Sequence, residues 1–159
     1  MLGKPPASNL IDVARSHVEN YRMKKSMGSG SSTTDFGLLV LRVCLGTSLF
    51  LKHGVEKITH FSHMAARFPD PVHIGAHASL VIALISDAIC SLLVAVGLGT
   101  RVAAFIIVAN LGVAFYFVHH LAFRTEHGEL ILVYMAGFLA LIFTGAGNFS
   151  LDEKFWGRG

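Results

Sequence analysis

The sequence has few charged residues and few cysteines. Asp, Glu, Lys and Arg make up 14% of its 159 residues, whereas 53% of the residues are hydrophobic. A soluble domain needs a charged surface, so this balance excludes an ordinary soluble protein and favours an integral membrane protein. The two cysteines, Cys44 and Cys90, both lie in apolar stretches and form neither a metal-binding spacing nor a disulfide framework.

Several functional motifs are also missing. Basic patches interleaved with aromatic residues are absent, so the net charge of +3 does not predict nucleic-acid binding. No Rossmann, flavin or iron–sulfur motif is recognisable, and no Glu-x-x-His pair fixes a metal site. The alternation typical of strands is absent as well. We therefore predict a helical protein that binds no metal, haem or flavin and needs a separate redox protein for any dehydrogenation.

Four apolar stretches dominate the rest of the chain, at about residues 36–52, 74–98, 102–119 and 130–143. A membrane-spanning helix needs roughly 20 residues, so the first and last stretches must extend through 33–58 and 129–149. The sequence thus predicts an all-α fold: an integral membrane bundle of four transmembrane helices over residues 35–152, followed by a short cytoplasmic tail at 153–159.

Residues 1–34 form a polar N-terminal extension with two open interpretations. Apolar residues between positions 10 and 21 fall near helical spacing beside basic residues, a pattern typical of an amphipathic helix on a membrane surface. A solvated tail is the alternative. A Gly/Ser linker at 28–32 would join either one to the first span. No signal peptide is predicted, because no apolar core or small-residue cleavage site follows the basic residues.

The basic residues predict the orientation of the bundle. With four spans, the N-terminus, the tight turn at 97–101 and the C-terminus share one side, and most Lys and Arg residues lie on that side. The positive-inside rule therefore predicts a multi-pass protein of the inner (plasma) membrane with both termini in the cytoplasm. The loops that carry histidines would face outward.

Two ionisable residues lie within the apolar stretches, Arg42 in the first and Asp87 in the second. A charge at bilayer depth costs at least ~2.5 kcal/mol on insertion scales, so it usually faces the bundle interior and has a partner. We predict an Arg42–Asp87 ion pair between the first two helices. Two roles stay open for the pair: fixing the register of the helices, or handling protons or a ligand.

Further polar side chains are expected to converge at the outer mouth of the bundle. They share a position near the outer ends of the helices: His53, Lys57, His73 or His77, Tyr116, His119 and His120. A metal or haem site is disfavoured, because histidine tips are comfortable at this interfacial depth without a ligand. Donors of these types around an apolar pocket suit a quinone head group or an anion instead.

Helical spacing also decides the role of the thiols. Cys44 lies two residues after Arg42 and points to nearly the opposite side of helix one, whereas Cys90 points nearly the same way as Asp87. Helix one cannot present both Arg42 to Asp87 and Cys44 to Cys90. We therefore predict that both cysteines are packing residues. Small residues are expected to let the helices approach closely: Gly46, Ala83, Gly97, Gly112, Gly137 and Gly145.

The order of these features resembles the DoxX family. Helix one has an Arg, a Gly, a Phe and then His-Gly-x-x-Lys, helix two carries an acidic residue, and helix three ends at a His. The matching residues are Arg42, Gly46, Phe50, His53, Gly54, Lys57, Asp87, the segment 97–101, His119 and the closing Gly-x-Gly-x-x-Ser-Leu-Asp at 145–152. The resemblance covers roughly residues 36–152. The family usually has Glu where this chain has Asp87.

The resemblance implies a four-helix membrane protein. Relatives include the membrane subunit of an archaeal thiosulfate:quinone oxidoreductase. It thus implies the membrane subunit of a quinone-linked oxidoreductase that acts with a soluble or membrane redox protein. Membrane lipids are further expected partners, and a homo-oligomer stays open. Asp87 and Arg42 would be the catalytic residues, and the outer His and Lys residues would bind the quinone. The alternatives are a non-catalytic scaffold or assembly subunit and a small transporter.

Overall fold

The computed structural model of the protein describes residues 13, 15–20, 32–118 and 126–157. Those residues form helices and turns without a β-strand, so the all-α prediction is confirmed for them. The helices in chain order are α1 (Ser32–Thr59), α2 (Ala76–Val96), α3 (Thr100–Val118), α4 (Glu126–Thr144) and α5 (Leu151–Trp156). A further helical turn, Phe61–Met64, lies in the loop between α1 and α2, and residues 13 and 15–20 are helical as well.

Helices α1, α2 and α3 are long and apolar enough to cross a membrane. The apolar part of α4, Gly128–Thr144, is shorter. Each of the three longer helices contains a section of wider π-helical turns, at Phe50–Gly54, Ile85–Cys90 and Ala114–Val118. Sections of this kind are common at functional sites, because they redirect side chains and free backbone groups from the regular ladder.

A tight turn joins α2 to α3, as the sequence predicts. Gly97 ends α2 in the left-handed conformation (φ 77°), and Gly99 (φ 58°) precedes α3 in the same conformation. The Leu98 N–H donates to the Leu93 carbonyl at 2.9 Å, which closes the last turn of α2. A turn this short makes α2 and α3 antiparallel neighbours.

Helices α1 and α2 pack closely because glycine lies at their contacts. A Cβ atom at Gly46 would lie 2.5 Å from the Ser91 carbonyl oxygen, and one at Gly54 would lie 2.7 Å from the Asp87 carbonyl oxygen. Gly46 thus has the packing role that its size predicts. Gly112 differs, because the nearest atom to a Cβ there, in Met135, is 3.9 Å away.

The bundle is closed at one end and open at the other. Helix α3 packs against the Ile85–Val96 part of α2 and along α4, but it has no comparable packing against Ala76–Leu84. The closed part contains a core of fully buried residues from all four helices: Leu49, Val94, Ile107, Phe138 and Leu141. The open part leaves a cleft, and the polar residues of the interior meet there.

Candidate functional site

A cleft of about 500 Å³ lies in the open part of the bundle. This volume falls within the range of roughly 300–1,000 Å³ that is typical of small-molecule pockets. Its walls come from all four helices and from the loop before α2, and most of the lining residues are apolar. The polar side chains that line it are His53, Lys57, Ser79, Asp87, Asn110 and Tyr134.

A buried ion pair lies at the deep end of this cleft. The ammonium group of Lys57, in α1, donates to the Asp87 carboxylate, in α2, at 2.8 Å. The side chains of the two residues are only 10% and 7% exposed. Lys57 also lies 3.4 Å from the carbonyl oxygen of His53, one turn earlier in α1. The cleft therefore contains a charged donor and a charged acceptor within largely apolar walls.

The amide of Asn110 gives Asp87 a second partner. Its Nδ2 atom donates to the other carboxylate oxygen of Asp87 at 3.2 Å, so each oxygen has one donor. Asp87 lies in the π-helical section of α2, and its backbone carbonyl accepts the hydroxyl of Ser91 at 2.6 Å. Lys57 of α1 and Asn110 of α3 thus hold the Asp87 carboxylate of α2. Their hydrogen bonds fix its orientation in the cleft.

The predicted ion pair between Arg42 and Asp87 is wrong. Both residues face the bundle interior, as predicted, but at different depths. Arg42 lies against Gly97 at the closed end, whereas Asp87 lies opposite Gly54. Ten residues separate Asp87 from Gly97 in α2, which is about 15 Å along a helix. No arginine rotamer spans that distance, and Lys57 takes the place predicted for Arg42.

Arg42 instead holds the segment after α4. It is 2% exposed, and it donates to the carbonyl oxygens of Ala146, at 3.0 Å, and Phe149. Arg42 therefore lies away from the cleft, which argues against its predicted catalytic role. The segment after α4 also makes contacts with the start of α1 and with the α2–α3 turn, at the same end of the bundle.

Two carboxylates complete this C-terminal clasp, which we define as residues 145–152 with their partners. Asp35, near the start of α1, accepts the backbone and side-chain N–H groups of Asn148 at 3.0 and 2.6 Å. Asp152 accepts the N–H groups of Gly99 and Thr100 at 2.6 and 3.0 Å and so caps α3. The closing motif of the sequence is thus a structural element that joins α1, the α2–α3 turn and α4.

The other residues predicted to bind a ligand do not converge. His53 is half-buried and lines the cleft beside Lys57. His73 is exposed in the loop before α2 with a left-handed backbone (φ 57°), and exposed His77 packs edge-on against Phe61. Tyr116 is 58% exposed and contacts Phe117 rather than the cleft.

His119 and His120 lie outside the described residues. Within the described part of the chain, no group of three or more His, Cys, Asp or Glu residues is arranged to hold a metal. Cys90 is buried in the core and Cys44 is exposed, and both thiols are free. Cys90 is therefore a packing residue, as predicted, whereas the prediction for Cys44 is wrong, because it lies outside the core and is exposed.

Sequence reasoning missed Asn110 and Tyr134. Asn110 is the one strongly polar residue in the apolar run from Val102 to Val118, and that isolation was an available signal. The hydroxyl of Tyr134, in α4, lies 2.5 Å from the Ser48 hydroxyl, in α1, and its ring is 6% exposed. A tyrosine in an apolar helix does not stand out in the sequence in this way. Only the packing of α4 against the other helices shows that Tyr134 lies at the cleft.

The loop before α2 lines one end of the cleft. Asp70 fixes it by accepting the N–H groups of Ile74 and Gly75, at 3.0 and 2.7 Å, and the Ser79 hydroxyl at 2.9 Å. Burial alone raises the pKa of Asp70, but these hydrogen bonds and the nearby His73 outweigh it, so its pKa lies below the ordinary value. Phe68, on the same loop, lines the cleft.

Comparison with known proteins agrees with this architecture. The family model of DoxX matches residues 37–120, from α1 to just beyond α3. An uncharacterized protein of Haemophilus influenzae is 33% identical over 114 residues, which cover 68% of this chain and 83% of that protein. No solved structure matches the chain. On the family match and on this relative, the chain belongs to the DoxX family of membrane proteins.

Proposed function

We propose that this protein is the membrane subunit of a quinone-linked oxidoreductase and that the quinone ring binds at the deep end of the cleft. The observation that carries the proposal is the Lys57–Asp87 pair, buried with Asn110 in otherwise apolar walls. A quinone likewise combines a few polar atoms, its carbonyl oxygens, with an apolar ring and tail. Few polar groups at one end of an apolar pocket suit such a ligand.

Each polar residue has a distinct role in this proposal. Lys57 donates a hydrogen bond to a ring oxygen, and Asp87 keeps the lysine charged and oriented. The amide of Asn110 holds Asp87 and offers its own carbonyl oxygen to a hydroxyl group. A bound quinone supplies reversible oxidation and reduction. The electrons come from a separate redox protein, since the sequence carries no recognisable flavin, dinucleotide or iron–sulfur motif.

The proposal also includes a topology of four spans with both termini in the cytoplasm of the inner membrane. The 19-residue helix α4 packs along α3, and at 1.5 Å per residue it measures about 28 Å, close to the thickness of the hydrocarbon core. The basic residues favour this orientation. Because Lys57 is buried, it is not counted as a loop cation on the outer side, and the excess of Lys and Arg on the side of the termini is larger without it.

Binding of a short-tailed ubiquinone analogue tests the proposal. The analogue would be titrated into lipid nanodiscs that contain the full chain as wild type, Asp87→Asn or Lys57→Met, and its Kd would be measured for each. Both variants should bind at least roughly tenfold more weakly, because each loses a charged hydrogen-bonding group. Glu56→Gln is the matched control, since Glu56 is an exposed carboxylate beside Lys57. A wild-type chain that binds no quinone would instead favour a non-catalytic scaffold.

A further inference from the structure

We infer that the cleft opens sideways into the bilayer, between the first half of α2 and the middle of α3, and that the apolar tail of the ligand leaves through this opening into lipid. This inference rests on the proposed function, because it assigns a tail to the ligand whose ring is bound at Lys57 and Asp87. It adds a route of entry and a ligand class: an amphiphile whose tail is longer than the cleft.

The lining of the cleft changes character from its deep end to its rim. Lys57 and Asp87 are both buried, at 8% and 5% exposure. In contrast, every exposed lining residue in the described part of the chain is apolar, with Phe105 at 63% and Ile82 at 49%. A site that takes its ligand from water would have a polar rim. An apolar rim around a polar interior suits a ligand that arrives from lipid.

The position of this rim along α3 places it at lipid depth. Phe105, Ile106 and Ala109 lie five to nine residues after the start of α3 at Thr100, which corresponds to about 8–14 Å along the helix. The helix spans about 28 Å in all, so these residues lie between about one quarter and one half of the way along it. In a membrane, that level faces acyl chains and not head groups or water.

The packing of the helices provides the gap. Helix α3 packs against α2 from Ile85 onward but has no comparable packing against Ala76–Leu84. Ile82, on that part of α2, and Phe105 and Ile106, on α3, all line the cleft. The outward direction is covered by the loop that Asp70 holds in place. The weak packing of α3 against Ala76–Leu84 therefore makes the sideways gap the route that we assign to the tail.

A photoreactive quinone tests where the tail lies. The probe carries a short isoprenoid tail with a diazirine at its far end, and it is irradiated with the full chain in nanodiscs. Peptide mass spectrometry then maps the label. We expect label on α3 near Phe105 and Ile106 and on α2 near Ile82. Ala109→Trp should fill the opening and reduce that label at least fivefold, while Ala136→Trp, at an exposed position on α4 outside the cleft, should not.

The outcomes separate this inference from the proposed function. Label on residues 68–74 would place the tail in the outward direction and overturn the inference while leaving the ring site intact. Unchanged labelling in Ala109→Trp would overturn it as well, and Ile82→Trp repeats the test from the other helix. If a tailless quinone competes for wild type and binds Ala109→Trp normally, the ring site is sound. Failure of the wild type to bind any quinone would overturn the proposed function itself.

Discussion

Lys57 and Asp87 form an ion pair of 2.8 Å that joins α1 to α2 where both helices contain wider turns. The lysine follows the π-helical section of α1, and the aspartate lies within that of α2. Gly54 lets the two backbones approach at this level. The wider helical turns, the close packing at Gly54 and the ion pair therefore all lie at the same level of the bundle. This level is the deep end of the cleft.

Removing one member of the pair should destabilise the protein. Asp87→Asn would leave the Lys57 charge buried without an anion, at a cost of about 3 kcal/mol. Lys57→Met combined with Asp87→Leu should recover much of that loss, because no charge remains buried. Thermal unfolding of the purified protein in detergent measures both effects. A single variant that unfolds at the wild-type temperature would contradict the described pairing.

Asn110→Leu should weaken the site without breaking the ion pair. The substitution removes the hydrogen bond to one oxygen of Asp87, which contributes about 1–2 kcal/mol when the partner is charged. A double-mutant cycle with Asp87→Asn should show that the two losses are not additive. Additive losses would mean that Asn110 stabilises the bundle independently of the carboxylate.

Arg42 should matter for stability and not for quinone binding. Arg42→Met removes the donors to Ala146 and Phe149, so the C-terminal clasp should loosen, with a cost of about 2 kcal/mol or more. Arg42→Lys should rescue it only in part, because an ammonium group lacks the planar fork that reaches both carbonyls. Limited proteolysis of residues 145–157 reports the loosening. A variant with normal stability but lost quinone binding would restore Arg42 to the ligand site.

Gly54→Ala should move α1 away from α2 at the level of the ion pair. The added methyl group would lie 2.7 Å from the Asp87 carbonyl oxygen, which is backbone and cannot rotate away. We expect lower stability and weaker quinone binding together. Gly37→Ala is the control, because a Cβ atom there meets nothing within 4 Å. Equal behaviour of the two variants would show that close packing at Gly54 is unimportant.

The loop over the cleft should keep its structure across neutral and mildly acidic pH. The pKa of Asp70 in the folded protein lies below the ordinary value of about 3.9, so its stabilising effect is fully present above that value. The effect is lost only as pH falls through the lowered folded pKa. The difference in protease cleavage of residues 60–75 between wild type and Asp70→Asn should therefore be constant from about pH 5 to 8. Asp70→Asn should increase cleavage, and equal cleavage of the variant and the wild type would contradict this assignment.

The helices and their turn could be predicted because their signals are local. Apolar runs of the right length and the glycines around Leu98 are enough to define α2, α3 and the turn between them. The charges within the apolar runs also identified interior positions, because Arg42 and Asp87 are both buried as predicted.

The pairing of the charges could not be predicted in the same way, since it depends on depth. The sequence predicts that the first span extends to residue 58, but it puts Lys57 at the outer mouth of the bundle, whereas in the structure Lys57 lies opposite Asp87. The π-helical turns also change which side chains of a helix face its neighbour, and no pattern in the sequence predicts these turns. The partners of Arg42 lie in a non-helical segment more than a hundred residues away, where helical angles give no guidance.

The C-terminal clasp has a consequence for the synthesis of the protein. Arg42 leaves the ribosome 104 residues before Ala146, so α1, α2 and α3 enter the membrane while its guanidinium still lacks its carbonyl partners. The N-terminal cap of α3 is likewise missing until Asp152 has been translated. A chain whose translation stops before residue 145 would therefore lack both the carbonyl partners of Arg42 and the N-terminal cap of α3.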